Sequence, residues 1–141
     1  MKRIVPLLVA LSLFLVVGTG CRKARPIEPV TSSTTLSPTD KAYSAETVRK
    51  CIISACIGRG WTALEINPGL IEAKLVVRGK HIVIVNIPYT ADSFSIKYKS
   101  SSNMEHKTLR DGTEAIHPNY NKWVRTLEID IQKAIATART Q

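Results

Sequence analysis

The sequence predicts an α+β fold: a two-layer sandwich whose three- to four-stranded antiparallel sheet carries an N-terminal helix and a long C-terminal helix on one face. Three observations predict it. Val48, Cys51, Ile52, Ala55 and Cys56 fall at helical spacing. Between Ile71 and Tyr98 the apolar residues instead alternate with polar ones, the period of half-buried strands. A second helical stripe then runs through Tyr120, Trp123, Val124, Leu127, Ile131, Ala134, Ile135 and Ala138.

The folded domain is expected to occupy residues 43–141. Ser44 is placed to cap the first helix, and Glu46 sits in its first turn, near the positive end of the helix dipole. Gly58 and Gly60 end that helix, and Trp61 opens a short strand. Asn67-Pro68-Gly69 is a turn signal. Ile71, Ala73, Leu75 and Val77 then share one strand face, as do Val83, Val85, Ile87 and Tyr89 on the next strand. Phe94, Ile96 and Tyr98 mark a last strand before a polar loop over 100–111. Ile116-His117-Pro118 opens the long helix, with Pro118 in its first turn.

Register between the two central strands follows from counting. A two-residue loop at Gly79-Lys80 would set Val83, Val85 and Ile87 on the face of Glu72 and Lys74. A three-residue loop, Arg78 to Lys80, gathers Ile71, Ala73, Leu75, Val83, Val85 and Ile87 on one side, and burial selects it because a one-residue slip reverses the faces. The consequence is an apolar trio, Val76, Ile82 and Ile84, on the opposite face, a candidate interaction patch.

Upstream of this domain the residues describe export. Lys2 and Arg3 precede a stretch, 4–17, that is apolar except for Ser12, and small residues lead to Cys21. The apolar core is shorter than the ~20 residues of a membrane-spanning helix. Gly20 and Thr19 before Cys21 resemble the end of a bacterial lipoprotein signal peptide, although Gly18 stands where such peptides usually carry Leu. That resemblance implies residues 1–20 as signal peptide, cleavage between Gly20 and Cys21, and diacylglycerol and acyl chains on Cys21. Arg22, rather than Asp, after the cysteine implies the outer membrane, facing the periplasm. Residues 21–42, basic and then rich in Ser, Thr and Pro, are expected to be a flexible tether.

The whole chain carries a net charge of +9, and losing Lys2 and Arg3 would leave it strongly basic. The expected partners are the membrane, through the lipid anchor, and an envelope protein or anionic envelope polymer. An exported location argues against nucleic acid. Cys51 and Cys56, five apart on a helix, would be ~8 Å apart, too far for a disulfide, and read as small buried hydrophobes.

From Arg49 onward the chain also resembles a family of small bacterial lipoproteins of outer-membrane type that has no assigned activity. The matching runs are Arg59-Gly60-Trp61, Pro68-Gly69-Leu70-Ile71-Glu72-Ala73, Arg78-Gly79-Lys80-His81, Ser95-Ile96-Lys97-Tyr98 and, the most specific, Ile116-His117-Pro118-Asn119-Tyr120-Asn121-Lys122-Trp123. Ser100 stands where that family often has an acid just after the strand's tyrosine. The resemblance implies location and fold only.

No residues form a catalytic constellation, and neither a cofactor nor a metal site is expected. Met104 and His106 are two soft ligands without a third. The sharper candidate is a small polar pocket of His117, Asn119 and Asn121 at the start of the long helix, where free backbone N–H groups favour an anion. The plainer account of His117 is a helix cap. The favoured reading is thus a non-enzymatic binding or accessory lipoprotein. The alternative is a ligand-binding or hydrolytic domain in which His106 or His117 meets Asp111 or Glu114 in a concave site.

Overall fold

The hairpin at Arg78 positions most of the sheet. In the computed structural model, which describes residues 23–33 and 43–138, β4 (Leu70–Val77) and β5 (His81–Pro88) pair with Val77 opposite His81, leaving a three-residue loop. Arg78 and Gly79 both take positive φ, 54° and 67°, to make that turn. The register follows. Ile71 faces Ile87, Ala73 faces Val85 and Leu75 faces Val83, all buried, whereas Lys74–Ile84 and Val76–Ile82 pair on the other face.

The remaining elements enclose that buried face. α1 (Ala45–Gly58) starts at Ser44, whose side chain accepts the Thr47 N–H at 3.0 Å. It ends where Gly60, at φ +75°, turns the chain into β3 (Trp61–Asn67). β6 (Ser93–Ser102) pairs with β5, and α2 (Asn119–Ala138) ends the described chain. Buried residues of both helices and of the sheet's inner face form one cluster, which includes Val48, Ile52, Val85, Ile87, Leu127 and Ile131. The fold is α+β with antiparallel sheets, as the patterning predicts.

The strand count differs from expectation. Instead of three or four strands, the main sheet has five, in the order β2-β6-β5-β4-β3. The additional edge strand is β2 (Val30–Ser33), from the segment expected to be tether. β1 (Arg25–Pro26) joins β7 (Lys107–Thr108) and β8 (Glu114–Ile116) in a small three-stranded sheet, so part of the expected polar loop is also paired. Polar burial accounts for the difference at β2. Ser32 is buried, donates from its hydroxyl to Glu128 at 2.8 Å and accepts from the Gln132 amide at 2.9 Å. A strand that is buried through hydrogen bonds has the composition of a linker. Asn121 holds the same segment from the other side, donating to Pro26 O at 2.8 Å and accepting the Glu28 N–H at 3.2 Å.

Residues 1–22, with the expected signal peptide and Cys21, lie outside the described residues, as do 34–42 of the expected tether. Among the described residues no helix is long and apolar enough to cross a membrane.

Ser32→Ala is expected to lower unfolding free energy by about 1–3 kcal/mol, because Glu128 and Gln132 lose a buried partner. Thr31→Ala, at an exposed position of the same strand, is expected to change it by less than about 0.5 kcal/mol. Urea denaturation of the two variants measures the difference, and equal neutrality would mean that the segment does not hold to the body in solution.

Candidate functional site

The outer face of the sheet takes its residues from alternation on β3, β4 and β5. Thr62 pairs with Lys74 and Leu64 with Glu72, which extends the face of Val76, Ile82 and Ile84 onto β3. Leu64 is 64% exposed, Val76 49% and Ile66 45%, while Ile82 and Ile84 are half-buried. The predicted trio therefore shares one face, and its most exposed part continues onto the edge strand. Leu64 and Ile66 escaped the sequence reading because Trp61 to Ile66 alternates less plainly than the central strands.

Lys74, Lys97 and Lys99 lie on this outer face as well, but Lys99 is tied to Glu72 in an ion pair. A bulge explains its placement. Ile84 pairs with Ser100 and Val85 with Tyr98, so Lys99 is the additional residue. Tyr98 turns inward, stacking on His106 at 4.7 Å and meeting the edge of Tyr120 at 5.6 Å.

A second concavity, of about 390 Å³, lies at the hairpin end of the sheet and is lined by Val77, Arg78, His81, Met104, His117, Asn119 and Trp123. Two hydrogen bonds to consecutive residues build it. His81 Nδ1 donates to Asn103 O at 2.7 Å, and the His117 backbone N–H donates to Met104 O at 2.8 Å. Carbonyl oxygen can only accept, so neutral His81 keeps Nε2 as an acceptor. His117 is the reverse: its Nδ1 accepts the Asn119 N–H at 3.2 Å, which leaves Nε2–H as a donor. His117 also accepts the Tyr120 N–H through its carbonyl at 3.0 Å, so it caps the helix as well as lining the cavity.

This cavity brings His117 and Asn119 together, as the sequence suggests, but not Asn121. Asn121 clamps the N-terminal segment and lines a separate cleft of about 830 Å³ with Lys23, Arg25, Glu28, Asn119, Lys122 and Arg125. The sequence reading missed Arg78, His81 and Trp123 as neighbours of His117. No local signal could supply Arg78 and His81, since their contact passes through the backbone of Asn103 and Met104, whereas Trp123 comes from the first turns of the same helix.

His106 meets Glu114 at 3.5 Å outside this cavity, and Asp111 accepts the Thr113 N–H within its own turn at 2.9 Å. The cavity lining contains no carboxylate, hydroxyl or thiol, so the acid–base pair required by the hydrolytic alternative is not assembled there. What it presents is one imidazole donor, one imidazole acceptor and a guanidinium.

Both helical cysteines are buried and free, as expected. Burial pushes the Cys56 thiol up to about 12 and also raises Cys51. The folded state therefore holds the Cys56 proton after the unfolded chain has released it, and stability is expected to fall as pH rises from about 9 towards 12. Denaturant melts across that range measure the fall, and Cys56→Ala should flatten it. A slope unchanged by the substitution would assign the loss to other groups.

No protein-family model, curated protein or solved structure matches this chain, so no relative lends it an activity.

Proposed function

We propose that the chain is an exported lipoprotein, anchored through lipid on Cys21 at the periplasmic face of the outer membrane. Its domain serves as a non-enzymatic binding module. The observation that carries the binding role is the outer sheet face, where Val76, Ile82 and Ile84 cluster towards the hairpin and Leu64 and Ile66 stand exposed on the edge strand, with Thr62, Lys74 and Glu72 between them. β3 ends the order of the main sheet, so its outer backbone groups have no strand partner among the described residues. An apolar face beside an open edge suits an extended segment of a partner protein, which would pair with β3 and cover Leu64 and Ile66. The anchor rests on the export pattern before Cys21 and on the resemblance to small outer-membrane lipoproteins.

In cells, the chain is expected to take up labelled palmitate, and Cys21→Ser to abolish the label. A photocrosslinker at position 84 should give one discrete heterologous product, lost when Leu64 and Val76 are both changed to Lys. Absence of label sinks the anchor. Products containing only this chain would make the face a self-association surface.

The cavity at His117 supports a second reading, in which the domain binds a small anionic ligand. Arg78 supplies charge, and the two imidazoles supply one donor and one acceptor. Titration with citrate or inorganic phosphate, followed by imidazole NMR, should shift both His81 and His117. If both resonances stay still at saturating anion, that reading fails.

A further inference from the structure

The segment after Cys21 is much shorter than its composition suggests. Arg25 pairs with Ile116, Val30 to Ser33 pair with β6, and Asn121 clasps the turn between them. Only residues 22–24 separate Cys21 from the folded body. Four Cα steps reach about 14 Å at full extension. The head-group layer itself takes about 5–7 Å of that, and charges in the remaining gap lie within about one Debye length of the surface. A body held so closely must present one particular face to the lipid.

That face is basic. The cleft beside the first turn of α2 is lined by Lys23, Arg25, Lys122 and Arg125, with Glu28 as its one carboxylate. Glu28 lies 3.8 Å from Arg125, which also reaches Glu128 at 3.3 Å. Lys23 and Lys122 are exposed and line the cleft, and among the described residues no ion pair ties either of them. Asn119 lines both this cleft and the neighbouring cavity, so Arg78 extends the basic surface around the same end. Arg25 is the first paired residue described after Cys21, so the short link leads directly to this basic cleft.

We propose that this end of the domain, the first turn of α2 together with Lys23 and Arg25, docks on an anionic phospholipid surface. The lipid on Cys21 and the basic cleft thus act as two linked contacts with one membrane. The inference rests on the anchor proposed above. Either contact alone binds weakly; joined by a short link, each raises the effective concentration of the other.

The test separates the two contacts. The mature-length chain with Cys21→Ser holds the whole described core, Val30 to Ile135, and has no acylation site. It is expected to sediment at low salt with vesicles of equimolar phosphatidylethanolamine and phosphatidylglycerol, and not with phosphatidylcholine vesicles. A basic side chain near an anionic surface is worth about fivefold in partitioning, so losing both lysines should weaken binding by about 25-fold and the reversals Lys23→Glu with Lys122→Glu by more than that. Lys50→Glu with Lys133→Glu, matched in charge but outside the cleft, should change it by less than about threefold. Lys23→Gln with Lys122→Gln gives a milder second pair should the reversals perturb folding, checked by thermal melts. Equal binding to both vesicle types, no binding to either, or equal loss in the matched pairs would overturn the docking face. Palmitate labelling of the full chain reports separately. Label without vesicle binding leaves the anchor and overturns the docking; vesicle binding without label does the reverse.

Discussion

Everything on the sheet depends on where the Arg78 turn puts its additional residue. With three residues in the loop, β5 presents Val83, Val85 and Ile87 to the helices and Ile82 and Ile84 to the outside. One residue fewer would exchange the two sets and bury Lys74 and Glu72. The turn is held by left-handed backbone at Arg78 and Gly79, and Arg78 adopts it as a non-glycine residue. That strain is supported from both sides. The Lys80 N–H bonds to Val77 O at 3.3 Å, while the Lys80 carbonyl accepts from the Asn103 side chain at 2.8 Å. The same geometry sets Arg78 and His81 at the rim of the cavity, so the residues that fix register also shape the pocket.

The N-terminal segment is the second constraint, and its chemistry differs from that of the core. β2 adds Val30 to the apolar cluster, and its link to α2 is polar: Ser32 donates to Glu128 and accepts from Gln132, and Arg125 approaches Glu128. A buried carboxylate on an otherwise apolar helix stripe is costly unless it is bonded, and the strand supplies the hydroxyl that bonds it. The segment and α2 are therefore matched to each other. This match turns a linker-like sequence into a paired strand, and would hold the proposed anchor close to the body.

The two helices and the central hairpin were legible because local periodicity and one turn count determine them. The inner face of β4 and β5 emerged residue by residue, including the outward trio. β1 and β2 were not legible for a physical reason. Each is stabilised by partners about ninety positions away, and Ser32 is buried by hydrogen bonds rather than by apolar surface. His117 was identifiable as a cap, but its neighbours His81 and Arg78 arrive through the carbonyls of Asn103 and Met104, which carry no sequence signal. Asn121 was grouped with His117 by proximity in sequence. Asn121 lies two residues beyond Asn119, about 200° further around the helix axis, and its side chain serves the strap instead.

The proposed docking face also bears on how a partner could reach the sheet. The basic cleft and the cavity adjoin through Asn119, and the cavity opens at the β4–β5 hairpin. With that end on the lipid, Val76 and Ile82, the pair next to the hairpin, are the members of the apolar face nearest the membrane. Leu70 lies six residues back along β4, about 20 Å away at strand rise, and Ile66 is close to it across the bulge in β3. The part of the face farthest from the head groups is thus its most accessible part, bordered by the open edge of β3. A lipid surface at one end and an extended protein segment at the other could bind together, because neither covers the other's residues. On this geometry the short strap is what gives the sheet a fixed outward direction, which a long flexible tether would not.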